Sequence, residues 1–540
     1  MRRVLGIALA ATGWLVPPPA LPVPSRSGPE GPPRPLTAEP PAGRAPARTP
    51  PGLVRAQDRA LLYGPFPSGG LVRGVSDGAL LESPDPETRA LALERVRATG
   101  ATVARIPVNW RELVSPDPPP GFEAADPSDP SYDFTRLDEA VRSAATAGLA
   151  PVLVVSHAPP FAEAPGRWPY AYDGSWAPSP AALRAFAEAL ARRYDGAYPD
   201  PRRPAATLPL VSRFQAWNEP NLARYLEPQW VVEEGRWTAF SPLLYRQLLN
   251  AFYAGVKAVA PEDLVIAAGV APNGEPAGVG RMAPLTFLAS LLCLTGPTRP
   301  ARAPCPEPAH FDVLAFHPLS VGNPDIPAAS SLDVSIADAA KVTGLLRRAV
   351  ALGTTLPRTD QPVWVTELNW ESAPQSSDGV PPGLQAKWIS RALHRLWVAG
   401  VSLVDWQFLV DPYPAIRSAG PTGEPLEYQR PAGLYGAGPG GSLQLAVPKP
   451  FLAGFTFPFD PLRASRREVR VWALPPSVAA AAVLQYASRA GGPWHTLARP
   501  HVGPSGVLNA LVKLRRGGVL RLLSGALVSP EAAVPAGASR

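Results

Sequence analysis

The stretch "SRFQAWNEPN", residues 212–221, joins a short apolar run to an amide, a carboxylate and a proline. Such a run predicts a buried strand, and the polar residues mark the place where the strand ends. Near-continuous apolarity is what parallel strands buried on both faces need. Seven other runs share this character: residues 69–78, 101–110, 150–157, 264–272, 311–318, 362–370 and 402–410.

Amphipathic helical segments lie between these eight runs. Residues 183–194 and 244–259 carry apolar side chains at the spacing of one helix face. Eight strands that alternate with helices predict an α/β fold, a (β/α)8 TIM barrel, over residues 60–462. The competing architecture is an open, doubly wound sheet. Such a sheet usually has a Gly-rich phosphate turn after its first strand, and none is evident here.

The pattern changes beyond the predicted barrel. Residues 463–527 contain short apolar runs separated by Gly, Pro and Ser, which predict a small antiparallel β domain, sandwich-like in form. Residues 528–540 are expected to be a disordered tail.

The first residues resemble an export signal in composition. Two arginines precede an apolar stretch, so residues 1–22 are predicted to be a signal peptide; an uncleaved membrane anchor is the alternative. Residues 23–59 are predicted to be a disordered, Pro-rich linker. We therefore expect a secreted or cell-surface protein with no stable membrane insertion after signal cleavage.

Charge and cysteine content limit the classes of binding partner that we expect. The net charge is +7, but residues 1–59 hold eight arginines and three acids, so the rest of the chain is nearly balanced and nucleic-acid binding is not expected. Cys293 and Cys305 predict a disulfide, with two free thiols as the alternative. The six histidines are scattered, and neither a metal nor a cofactor is expected. We expect a monomer.

Two glutamates stand at predicted strand ends. Glu219 ends the fourth strand and Glu367 ends the seventh, and a (β/α)8 barrel gathers its strand ends at one mouth. Two such groups can cleave a glycosidic bond, one as the acid that protonates the leaving oxygen and the other as the anion that attacks. Asn218 is predicted to hydrogen-bond a sugar hydroxyl next to that bond.

The motif "WNEP" and the later motif "WVTELNW" resemble those of clan A of the glycoside hydrolases, especially families 5 and 39. The resemblance implies that Glu219 is the acid/base and Glu367 the nucleophile. It also implies that Arg105 keeps Glu367 ionised. His157 and His317 would bind sugar hydroxyls or orient the glutamates.

The same resemblance makes Trp406 the floor on which the cleaved sugar stacks. One position departs from the family pattern: Leu319 stands where family 5 often has a Tyr, two residues after His317. This departure weakens assignment to family 5 and leaves clan A standing.

The sequence thus predicts a retaining glycosidase that acts on an oligo- or polysaccharide. Two alternatives stay open: a catalytically inactive carbohydrate-binding barrel and a wall-associated interaction protein. Several aromatic residues fall in the predicted loops, and residues 167–176, "RWPYAYDGSW", are the best candidate for the wall of a sugar subsite.

Overall fold

The computed structural model describes residues 56–63, 65–319, 322–412, 430–477 and 481–537. The predicted signal peptide and the predicted linker up to residue 55 lie outside these residues. The end of that predicted linker instead begins a helix, α1 (Ala56–Tyr63), in which Leu61 and Leu62 are buried. Across the described ranges, no helix has both the length and the apolar character that crossing a membrane requires.

Eight parallel strands close into a barrel, and each overlaps one of the eight predicted runs. They are β1 (Val72–Ser76), β2 (Val103–Asn109), β3 (Ala150–Ser156), β4 (Arg213–Ala216), β5 (Leu264–Val270), β6 (Val313–Phe316), β7 (Val363–Leu368) and β8 (Val401–Gln407). Strand β1 pairs with β2 on one side and with β8 on the other. This closure confirms the predicted (β/α)8 barrel and excludes the open, doubly wound sheet.

Helices surround the barrel. Two of them begin as their sequence dictates, since Asp85 and Ser179 each cap backbone amides of the first turn and a Pro follows each cap. The helices after α1 are α2 (Gly78–Leu81), α3 (Pro86–Ala98), α4 (Trp110–Leu113), α5 (Thr135–Thr146), α6 (Pro180–Arg193), α7 (Ser241–Val259), α8 (Pro284–Leu291), α9 (Ala339–Leu352), α10 (Pro382–Val398) and α11 (Pro450–Thr456).

The segments that connect the barrel strands and helices contain short strands and 3₁₀ turns. In the described connections of the barrel, three further strand pairs occur: Trp230–Glu233 with Arg236–Ala239, Ala309–His310 with Thr355–Leu356, and Tyr435–Gly436 with Val447–Pro448. Single 3₁₀ turns occur at Pro160–Ala162, Ile336–Asp338 and Pro439–Gly441.

The barrel lumen changes character along its axis. A closed apolar layer comprises Val103, Val152, Ile266, Val313, Ala315, Trp364 and Leu403. Side chains of a strand alternate between its two faces, so Arg105 and Asp405 stand on the lumen side two residues beyond Val103 and Leu403. Both are buried. The lumen therefore becomes polar towards the carboxyl ends of the strands.

The C-terminal region forms two antiparallel sheets. Its strands are β9 (Phe459–Arg463), β10 (Glu468–Ala473), β11 (Ala482–Ala487), β12 (His495–Ala498), β13 (Leu508–Lys513), β14 (Gly518–Ser524), β15 (Leu527–Val528) and β16 (Ala532–Val534). One sheet has the order β9-β10-β13, and the other has the order β12-β11-β14-β15 with β16 also on β14. An apolar core common to both sheets includes Val471 and Leu484.

Both predicted boundaries of this region need correction. Strand β9 begins at Phe459 rather than after 462, because Phe457 and Phe459 are buried in the core of the C-terminal domain. The tail predicted to be disordered contains β16, which pairs with β14 and buries Val534. Residues 538–540 lie outside the described part of the chain.

A disulfide joins Cys293 and Cys305, whose Cα atoms are 5.7 Å apart. The bond closes a loop that follows α8. The predicted pairing is confirmed, and the alternative of two free thiols is excluded.

A buried ionic network ties the C-terminal domain to the barrel. Asp460 of β9 accepts a hydrogen bond from Arg391 Nε at 2.8 Å and lies 2.8 Å from His394 Nδ1, both on α10. Arg391 also donates to Asp325, in the segment after β6, at 2.9 Å. Burial opposes ionisation of Asp460, but Arg391 and His394 hold the pKa of its carboxyl below its usual range.

Removing the anion from this network should be costly. Asp460→Ala leaves a buried guanidinium without one of its anionic partners, a loss expected to lower the free energy of unfolding by about 3–5 kcal/mol. Denaturant unfolding of the full chain measures the change. Glu188→Ala is the matched control: Glu188 pairs with the exposed Arg184 at 3.2 Å, and its removal should cost less than about 1 kcal/mol. Equal effects of the two changes would contradict a structural role for the network.

Candidate active site

Arg105 lies at the centre of the polar layer of the lumen. Its guanidinium donates to Glu367 Oε1 at 2.8 Å, to Asn218 Oδ1 at 2.8 Å and to Gln215 Oε1 at 3.2 Å. All four side chains are buried. One cation from β2 thereby fixes groups at the ends of β4 and β7, and the predicted contact between Arg105 and Glu367 is present.

Glu219 follows β4 in a backbone turn that L-residues seldom adopt. Trp217 has φ 74° and Glu219 has φ 40°. The amide of Glu219 donates to Gly269 O at 3.2 Å, and Trp217 Nε1 donates to Tyr225 O at 2.8 Å. These bonds hold the turn, so that the Glu219 side chain stands at the mouth with 12% of its surface exposed.

His317 connects the two glutamates. Its Nδ1 lies 2.9 Å from Glu219 Oε1 and 3.8 Å from Glu367 Oε2, and its Nε2 lies 2.9 Å from Thr366 Oγ1. The ring is fully buried. Of the two roles predicted for His317, the contacts show that of orienting the glutamates.

Gly269 makes room for this ring. Its φ is 69°, and a Cβ at this position would lie 2.9 Å from His317 Nε2 and 2.6 Å from Gln215 Nε2. Only glycine fits this approach without displacing both side chains.

Glu219, His317 and Glu367 each offer an atom within 4.8 Å of the atoms offered by the other two. The two carboxylates therefore lie close to each other at the mouth of the barrel. Such a trio could hold a metal ion by distance alone. The guanidinium of Arg105, bonded to one of these carboxylates, would repel a divalent cation, so the set suits the handling of protons better than a metal.

Asn218 lies next to Glu219 and is turned towards Arg105. Because its Oδ1 accepts from the guanidinium, its Nδ2 is the atom that can donate to a bound hydroxyl. The predicted contact of Asn218 with substrate thus remains a prediction, with its donor atom defined.

His157 directly follows β3 and has a φ of 58°. Ser156 Oγ lies 2.8 Å from its Nδ1, and the ring of Tyr225 lies 5.3 Å away. Desolvation, with the nearby charges of Arg224 and Arg111, lowers the pKa of His157 to about 4. At neutral pH the ring is therefore uncharged, with one nitrogen able to donate and one to accept.

Trp406 does not face the site. It is fully buried and packs against Phe451 and Phe455 of α11, and its Nε1 donates to Ala432 O at 3.2 Å. Because Asp405 faces the lumen, its neighbour Trp406 points outward to the helices. The prediction of Trp406 as the sugar floor is therefore wrong in this structure.

Gln407 is the last lumen-facing residue of β8, and sequence reasoning missed it. Its Oε1 accepts from Asn369 Nδ2 at 2.6 Å, and both side chains are partly exposed at the mouth, beyond Glu367. An amide pair thus occupies the position where an aromatic floor was expected. The period-two pattern through Leu403 and Asp405 is the signal that could have identified it.

Gln215, Thr366 and Asp405 were also missed. Each lies inside a predicted strand, where the sequence alone gives no sign that the side chain meets Arg105, His317 or Glu367. Burial raises the pKa of Asp405 well above its usual range, Arg105 opposes the shift, and Glu367 adds to it. The balance of these causes favours the neutral form of Asp405.

No protein-family model matches the chain, and a search of curated proteins finds no relative. A family 39 glycoside hydrolase from Bacteroides cellulosilyticus WH2 is 16% identical, with 83% of this chain and 81% of that chain covered and a TM-score of 0.47. A glucosidase from Croceicoccus marinus is 15% identical, with 75% and 76% covered and a TM-score of 0.45.

A GH5_18 structure from Streptomyces cattleya in complex with GlcNAc is 16% identical, with 72% of this chain and 80% of that chain covered and a TM-score of 0.42. The assignment of the barrel itself rests on the closed ring of strand pairs.

The electrostatic environment of His157 can be tested directly. Arg224→Gln removes a positive neighbour and should raise the pKa of His157 from about 4 towards 6.5, without reaching it, because desolvation is the larger cause. Titration of the ring by NMR measures the shift, and His157→Asn assigns the signal. Arg236→Gln, on the exposed hairpin, should leave the titration unchanged; an equal shift in this control would contradict a specific effect of Arg224.

The protonation of His157 also makes the free energy of unfolding depend on pH. The unfolded ring takes up a proton below about pH 6.5, whereas the folded ring does so only near pH 4. The unfolded state therefore binds more protons in this window, and the contribution of His157 to stability falls as the pH falls through it. Because Arg224→Gln raises the pKa of the folded ring, it should narrow the pH range over which this contribution to stability changes.

Proposed function

We propose that this chain is a retaining glycoside hydrolase that cleaves bonds of an oligo- or polysaccharide. The observation that carries the proposal is the pair of carboxylates, Glu219 and Glu367, with oxygens within 4.8 Å of each other. Retaining enzymes hold their two carboxyl groups about 5–5.5 Å apart, and inverting enzymes hold them about 6.5–9.5 Å apart to admit a water. The close approach supports retention.

The surroundings assign the two roles. Glu367 Oε1 is bonded to a permanent cation, Arg105, and this ion pair suits the carboxylate that acts as the nucleophile. Its Oε2 is then the oxygen that attacks. Glu219 bonds to His317, a group that can exchange a proton, and this contact suits the acid/base.

In the first step, Glu367 Oε2 attacks the anomeric carbon while the bond from that carbon to the leaving oxygen breaks and Glu219 gives its proton to that oxygen. In the second step, Glu219 takes a proton from water. The water oxygen bonds to the anomeric carbon, and the bond to Glu367 breaks. Asn218 Nδ2 and the neutral ring of His157 supply hydrogen bonds to sugar hydroxyls, which strengthen as positive charge develops on the sugar.

Export is a further part of the proposal. Disulfides persist in oxidising compartments, and Cys293 and Cys305 form one. It supports a secreted or cell-surface location, in agreement with the predicted signal peptide. Detection of the protein in a culture supernatant, rather than in the cell, tests the location.

Removal of either carboxylate should abolish turnover. Glu367→Ala and Glu219→Ala should each lower kcat by several orders of magnitude while the barrel stays folded, as circular dichroism would show. Glu219→Ala should retain more activity on aryl glycosides with acidic leaving groups, since these need little protonation, and Glu367→Ala should not. Glu371→Ala is the matched control, because Glu371 pairs with the exposed Arg430 at 3.2 Å and lies one turn beyond the site. Full activity in either site variant would end the proposal, whereas sugar binding without turnover in the unmodified protein would favour an inactive carbohydrate-binding barrel.

The stereochemical course is a separate prediction. If Glu367 forms a covalent intermediate, the first product released has the same anomeric configuration as the substrate. NMR of the anomeric proton, recorded before mutarotation, measures this configuration. A first product of opposite configuration would exclude Glu367 as the nucleophile and leave a single displacement.

A further inference from the structure

The connection between β3 and α6 carries large aromatic side chains that the barrel does not bury. Tyr170 is 79% exposed, Tyr172 54% and Trp168 49%. The rings of Trp168 and Tyr170 contact each other edge to face, with centroids 5.3 Å apart. Core packing does not account for aromatic side chains at this exposure, and a cluster of them on a surface marks a contact site.

The aromatic pair is presented on a bonded turn. Arg167 donates to Ala171 O and, at 2.7 Å, to Asp173 Oδ1, and the Ala171 amide donates to Trp168 O at 3.0 Å. The backbone under the two rings is thus fixed before any ligand arrives. Fixing the backbone in advance reduces the entropy lost on binding.

The turn is continuous with the candidate active site. The Ala158 amide donates to Gly174 O at 2.9 Å, next to His157. Gly174 has φ 77°, and a Cβ there would lie 2.8 Å from backbone atoms of His157 and Ala158. Arg111 binds both sides of this junction, since its amide donates to His157 O at 2.9 Å and its guanidinium lies 3.5 Å from Asp173.

The charges around the pair cancel. Arg111 and Arg167 are each matched by acidic groups, Glu163 and Asp173, at 2.7–3.8 Å. The surface therefore offers aromatic faces and hydrogen-bonding groups without a net field for an anion or a cation. Such a surface suits an uncharged ligand with both apolar faces and hydroxyls, which is the chemistry of a neutral sugar chain.

We propose that Trp168 and Tyr170 form a platform that binds sugar units away from the cleaved bond, so that the substrate is a neutral glycan chain rather than a small glycoside or an anionic glycan. The inference rests on the proposed function, since the chain would reach Glu219 and Glu367 past His157. Each stacked ring adds binding that only a substrate long enough to reach it can use.

Chain length is the variable that tests the platform. Wild type, the double variant Trp168→Ala/Tyr170→Ala and the control Trp494→Ala are compared on neutral oligosaccharides of increasing length and on an aryl monosaccharide glycoside. For the wild type, kcat/KM should rise with length until the platform is filled. The double variant should lose about tenfold or more on the long substrates, as expected for two lost aromatic contacts, and nothing on the aryl glycoside. Trp494, in the C-terminal domain against Arg521, should give wild-type values at every length.

Each outcome bears on one claim. Equal losses at every length, or none, would overturn the platform while leaving the glycosidase standing. A preference of the wild type for anionic glycans over neutral ones would overturn the proposed substrate class. If the wild type hydrolyses nothing, the proposed function fails, and gel-shift binding to the same neutral polysaccharides decides the platform: retardation of the wild type that the double variant loses supports it, and equal retardation overturns it.

Discussion

The buried guanidinium of Arg105 constrains the whole mouth of the barrel. An unpaired charge in such a place would be expensive, so its neighbours must supply acceptors, and they come from two other strands of the ring. Gln215 and Asn218 bring β4 to the guanidinium, and Glu367 brings β7. Because Glu219 is adjacent to Asn218, fixing the amide also fixes the second carboxylate. The spacing of the two glutamates is thus a consequence of how one cation is satisfied.

The backbone at the mouth is strained in the same places. His157, Trp217, Glu219, Ala268 and Phe408 all have positive φ, a conformation that costs of order 1–3 kcal/mol in residues other than glycine. Hydrogen bonds hold several of them, for example Gln215 Nε2 to Trp217 O at 3.1 Å, the Phe408 amide to Ser76 O at 2.7 Å, and the Ala268 amide to the Tyr245 hydroxyl at 2.6 Å. Strain of this kind persists only where the surroundings fix it, and Gln215, which also accepts a hydrogen bond from Arg105, is one of the groups that fix it here.

What the sequence could predict follows from the physics of each signal. The eight barrel strands were predictable because strands buried on both faces need long apolar runs, and Glu219 and Glu367 because polar residues end those runs. The role predicted for Trp406 was wrong because it was assigned from the residue type alone, without asking which face of β8 the side chain lies on. Leu403, Asp405 and Gln407 face the lumen, and Trp406 lies on the other face. The boundary between the barrel and the C-terminal domain was misplaced near Phe459, because the sequence shows that a residue is apolar but not which of the two cores buries it. Gln215 and Thr366 could not be found, because their partners are distant in the chain and only closure of the barrel brings them together.

Asp405 completes the charge balance of the site. It faces the lumen, where the charges of Arg105 and Glu367 both act on it, and it is as deeply buried as the apolar residues of the closed layer. Were it ionised, one guanidinium would face two anions in a region of low polarity, and the attraction between Arg105 and Glu367 would be divided. Burial raises the pKa of Asp405 well above its usual range, which favours the neutral form of this carboxyl, and the charge of Glu367 adds to that shift. The cation is then matched one to one with Glu367, so the carboxylate best placed to attack is also the one whose charge the lumen stabilises.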